Sequence, residues 1–183
     1  VIILLWATQI SFAQNTISIT AQNHAESACS GQFVGHELNH ITSVNDDPIR
    51  MFESNGSGLA INDLNNDGLL DIVLANLDGE ESILWNEGNL EFRRTGLDIP
   101  GRTRSVAILD LDADGWQDIV VTTQRAAPSL WQNQGDETFE FAPLRGVTES
   151  AYAMNWGDLD RDGDLDLVAA SYDAEMERID ASY

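Results

Sequence analysis

The chain has 183 residues, 43% of them hydrophobic, which is enough to bury one packed core and excludes a wholly disordered tail. Nine basic residues against 31 acidic ones leave a net charge of -22, a field that repels nucleic acid and anionic membranes. A single cysteine, Cys29, excludes an internal disulfide, so packing and bound ions must hold the fold.

In chain order, residues 1–13 read as the remnant of an export signal. An apolar run, Val1-Ile-Ile-Leu-Leu-Trp-Ala, leads to small residues at Ser11 and Ala13 that suit a cut after Ala13, and the run is too short to span a bilayer. The expected location is therefore secreted, cell-surface or periplasmic. Residues 14–54 read as a lead-in or as part of a preceding structural unit. Within them, His36-Glu37-Leu38-Asn39-His40 matches the His-Glu-x-x-His pattern of zinc metalloproteases. That chemistry needs both imidazoles on one helical face, whereas Gly35, Asn39 and Ile41-Thr42-Ser43-Val44 favour turn and strand. The zinc protease is accordingly the remote alternative for function.

From residue 55 onward the sequence repeats. Asp63-Leu-Asn-Asn-Asp-Gly-Leu-Leu-Asp-Ile-Val-Leu returns 47 residues later from Asp110 and, after 48 more, from Asp158. A period of this size signals an array or propeller, with repeats expected at about 55–101, 102–149 and 150–183. In each unit a short apolar stretch precedes the acidic loop, as in Leu59-Ala-Ile and Val106-Ala-Ile-Leu, and a β-branched stretch follows it, as in Ile119-Val-Val-Thr-Thr. Both predict strands. Segments containing Trp85-Asn86 and Trp131-Gln132-Asn133, each followed by a glycine, predict tight turns between two further strands. Four strands per repeat and no helical periodicity predict an all-β fold of β-propeller blades, two full repeats and a partial third. The remaining blades or neighbouring domains are expected from a longer chain.

The acidic loops place oxygen-bearing side chains at alternate positions around a glycine, the arrangement a hard cation needs to gather six to eight oxygens. Twelve of the 31 acids fall inside these three loops, where mutual repulsion calls for a counter-ion. The expected ligands of the first loop are the side chains of Asp63, Asn65, Asp67 and Asp71 and the carbonyl of Leu69. Those of the second are Asp110, Asp112, Asp114 and Asp118 with the Trp116 carbonyl, and those of the third are Asp158, Asp160, Asp162 and Asp166 with the Asp164 carbonyl. Neither sulfur nor imidazole is offered, and magnesium resists such a crowded all-protein cage, so about three calcium ions are expected, one per loop. The loops lack the glutamate at position twelve of the helix-loop-helix calcium motif, having Leu74, Val121 and Ala169 there.

These repeats resemble the FG-GAP/VCBS repeat family, the propeller blades also found in integrin α chains, over about residues 55–172. Leu84-Trp85-Asn86-Glu87-Gly88 and Leu130-Trp131-Gln132-Asn133-Gln134-Gly135 with Phe139 are similar to that family's Leu-Tyr-x-Asn-x-Gly-x-x-x-Phe ending. The resemblance implies extracellular binding, adhesion or carriage of a neighbouring domain, with an extracellular protein or glycan as partner. An alternative is a propeller that serves as the scaffold of a secreted carbohydrate-active enzyme, a lyase or hydrolase. No nucleophile with its base and no Gly-x-Ser-x-Gly elbow is legible, and His24, His36 and His40 all precede the repeats, so no catalytic activity is expected. Trp85 and Trp131 recur with the period and are expected between blades, whereas Trp116 and Trp156 are candidates for the surface.

Overall fold

The computed structural model describes residues 33–43, 57–124 and 126–170. The export signal read over residues 1–13, most of the lead-in with His24 and Cys29, and residues 171–183 of the third repeat lie outside the described residues. The chain divides into a unit of residues 1–37 and a unit of residues 38–183. Of the first, residues 33–37 carry neither helix nor strand.

The second unit is built of antiparallel sheets in sequence order. The first sheet runs β1 (Leu59–Asn62), β2 (Asp71–Leu74), β3 (Glu81–Asn86) and β4 (Phe92–Leu97). The next runs β5 (Thr103–Leu109), β6 (Asp118–Thr123), β7 (Ala126–Asn133) and β8 (Phe139–Pro143), and β9 (Ala153–Gly157) and β10 (Asp166–Ala170) form a hairpin. The described residues thus hold two whole four-stranded sheets and a hairpin, without a closed ring. They contain no helix long and apolar enough to cross a membrane.

Register explains how the sheets stack. Val73 pairs with Ile83 and with Ala60, so these side chains share one face, as alternate residues of a pleated sheet must. That face carries Val73, Ala75, Ile83 and Trp85 into a cluster completed by Val106, Ile119 and Val121 of the second sheet. Each valine or isoleucine among them contributes about 1.5–3 kcal/mol when taken fully out of water. Trp85 is buried and stacks on Phe139, with ring centroids 6.5 Å apart, and its indole N–H donates to Thr95 Oγ1 at 2.8 Å. Trp131 packs against the same cluster but takes the register of Leu84 rather than of Trp85, since Trp131 pairs with Ile119 as Leu84 pairs with Ile72; the two tryptophans therefore do not hold the same place in their sheets, contrary to the expectation from their recurrence. At the sheet junction a Cβ on Gly58 would stand 2.8 Å from Ser105 Cα and 2.9 Å from the Arg104 carbonyl oxygen, so only glycine lets β1 approach β5 this closely.

Candidate metal sites in the acidic loops

Each acidic loop joins the first two strands of its unit, β1 to β2, β5 to β6 and β9 to β10, and the three fold alike. The fourth residue is left-handed in every case, with φ of 57° at Asn66, 60° at Ala113 and 67° at Arg161. The sixth is a glycine with φ of 86° at Gly68, 93° at Gly115 and 97° at Gly163, where a side chain would be strained. These turns coil the backbone around the first carboxylate. Gly68 N–H donates to Asp63 Oδ2 at 2.9 Å, Gly115 N–H to Asp110 Oδ2 at 3.0 Å and Gly163 N–H to Asp158 Oδ2 at 3.3 Å. The fifth residue accepts from the seventh in all three, Leu69 N–H to Asp67, Trp116 N–H to Asp114 and Asp164 N–H to Asp162, at 2.8 to 2.9 Å.

Carboxylates converge as a result. One oxygen each from Asp110, Asp112 and Asp114 lies within 4.8 Å of the others, and the same holds for Asp158, Asp160 and Asp166. In the first loop Asn65 takes the place of the middle carboxylate, and the Asp67 N–H donates to both Asp63 Oδ1 and Asn65 Oδ1 at 3.2 Å, gathering the same three positions. An all-oxygen set at this spacing fits a hard cation such as calcium, whose charge would relieve the mutual repulsion of the acids.

The ninth residue has a second task that its spacing did not disclose. Asp71 and Asp118 are buried, and each holds its own loop shut: Leu64 N–H donates to Asp71 Oδ2 at 2.9 Å, and Leu111 N–H to Asp118 Oδ2 at 3.2 Å. Their other oxygens accept Asn86 N–H at 2.8 Å and Asn133 N–H at 2.9 Å from the third strand of the sheet. Burial pushes both carboxyls above the usual aspartate range; these backbone donors oppose it, and the neighbouring loop acids add to it. Asp166 binds Leu159 N–H at 2.9 Å in the same way. Asn133 was not singled out as functional from the sequence, although its place fifteen residues after Asp118, matching Asn86 after Asp71, was the available signal.

The remaining candidates disperse. Trp116 is half-buried, with its ring against Gly135, and Trp156 lines a cleft of about 860 Å³ between the second sheet and the β9–β10 hairpin. The indole N–H groups of Trp131 and Trp156 are buried without a protein partner. No part of residues 33–43 is helical, so the His36-Glu37-x-x-His40 pattern lacks the element that would aim both imidazoles at one metal. His40 instead packs on the first sheet, with Nδ1 2.8 Å from Ser82 Oγ, and burial lowers its pKa, opposed by the Ala75 backbone and reinforced by Arg94.

Stacked four-stranded antiparallel sheets, each with one nine-residue acidic loop between its first two strands, define a class of extended repeat protein. The FG-GAP-like repeat model matches residues 63–121 and 110–169, together more than half of the chain, and the chain belongs to that family. Such repeats are typical of extracellular, propeller-like modules. No curated protein matches the chain.

Proposed function

We propose that this chain is an exported calcium-binding β-propeller module for extracellular binding or adhesion, with calcium in a structural role and no catalysis of its own. The observation that carries the reading is the threefold recurrence of one backbone loop geometry, with three carboxylates brought within 4.8 Å of one another in the second loop and in the third. Side chains of Asp63, Asn65, Asp67 and Asp71, and their counterparts in the other loops, would hold the ion, with the carbonyls of Leu69, Trp116 and Asp164 adding to the shell. Calcium would neutralise acids that otherwise repel each other across a short turn, and so hold the first two strands of each sheet together. Millimolar calcium outside cells suits the weaker affinities of extracellular modules.

Calorimetric titration of the metal-free chain, with calcium and zinc in parallel, tests this. Uptake of about three calcium ions without specific zinc binding is expected. One tight zinc ion and no calcium would overturn it in favour of the protease pattern.

A further inference from the structure

The first two loops are joined by a path of hydrogen bonds through the sheet junction. Asp71 Oδ2 accepts Leu64 N–H at 2.9 Å, the Leu64 carbonyl accepts Asn133 Nδ2–H at 2.8 Å, and Asn133 N–H donates to Asp118 Oδ1 at 2.9 Å. Every residue on this path is buried, and the Asn133 amide also reaches the Gln117 carbonyl at 3.0 Å. A second, exposed link runs alongside it: Asn66 Nδ2–H donates to the Gly115 carbonyl at 3.1 Å, fourth residue of one loop to sixth residue of the next. Among the described residues, no hydrogen bond joins the second and third loops. Ala113, which occupies the Asn66 position in the second loop, has no amide to extend, and the cleft of about 860 Å³ is lined by residues of both the second and third loops.

We infer that the first and second loops bind calcium cooperatively through Asn133 and Asn66, while the third binds independently. This rests on the calcium reading above. An ion in the first loop fixes Asp71 and with it Leu64, whose carbonyl orients the Asn133 side chain; Asn133 in turn holds Asp118 of the second loop. Ordering one loop therefore lowers the conformational cost of ordering the other, and linkage makes the effect reciprocal. Repulsion between two bound ions works the other way, but at physiological salt it is screened over about 8 Å. The buried path is not.

The test is a calcium titration of the full metal-free chain at about 0.15 M salt, compared with Asn133→Ala and Asn66→Gly. Both substitutions leave the charge unchanged, so ion–ion repulsion is the same in all three proteins. Asn66→Gly also keeps a residue at ease with positive φ, so that loop folds even if Asn133→Ala does not. The wild-type chain is expected to fill two sites with a Hill coefficient above one and a third site independently. Asn133→Ala should still take up three ions but lose a coupling of about five-fold or more in affinity, and Asn66→Gly should lose part of it. Three independent sites in the wild-type chain, or cooperativity untouched by both substitutions, would overturn the coupling while leaving the calcium reading intact. No calcium uptake by the wild-type chain would remove the reading on which it rests.

Discussion

At the scale of single residues, the loops depend on positions whose chemistry varies freely. Asn66, Ala113 and Arg161 all adopt positive φ, which asparagine tolerates but which costs alanine or arginine about 1 kcal/mol or more. Ala113→Gly should therefore stabilise the chain by up to about 1 kcal/mol, partly offset by the freer unfolded backbone, read as a raised urea midpoint at unchanged slope. A lowered midpoint would show that the left-handed turn at Ala113 is not native. Glu81 offers a pH-dependent counterpart. Its buried carboxylate accepts Thr103 Oγ1–H at 2.7 Å and Ile99 N–H at 3.2 Å, and burial raises its pKa despite these bonds. Because the folded value lies above the unfolded one, this group favours folding most at pH below about 4.5, and that contribution is lost as pH rises through the folded value. Glu81→Gln should gain stability relative to wild type as pH increases over that window, in paired urea melts. A difference independent of pH would contradict it. The first, third, fifth and ninth loop positions stood out because an acid or amide recurs there with the period; the left-handed fourth did not, because asparagine, alanine and arginine share no side-chain signature.

Among elements, the recurrence of tryptophan did not disclose that Trp131 takes the register of Leu84 rather than of Trp85, whereas the four strands of each of the first two repeats were legible from apolar and β-branched stretches and from the turns beside the tryptophans. What joins the sheets was not, because it depends on pairs far apart in sequence. Asn133 meets Leu64 across 69 residues. Arg93 of β4 likewise forms an ion pair at 2.7 Å with Glu137 and lies over the Trp85 ring, tying the two sheets at their exposed edge. Being partly exposed, that pair adds only about 0–1 kcal/mol. The junction itself rests on Gly58, whose missing Cβ lets the β5 backbone pass. Gly58→Ala should destabilise by about 1–3 kcal/mol, the usual cost of overpacking, with the loss seen as a lower thermal midpoint. A neutral result would mean that the sheets are not stacked this closely in solution.

For the molecule as a whole, a net charge of -22 on 183 residues sets the balance between self-repulsion and folding. On the proposed reading, calcium would offset the twelve acids held in the three loops, and the single cysteine of these 183 residues offers no internal disulfide to share that task. An ion present at about one hundred times its dissociation constant adds about 2.7 kcal/mol to the folded state, which for a chain of this size is roughly 5–10 °C in melting temperature. The most direct test is the thermal melt of the full chain in millimolar calcium, after chelation, and after calcium is restored. A midpoint several degrees lower on chelation, with full recovery when calcium returns, is the expected result. An unchanged midpoint would contradict a structural role for calcium in these repeats.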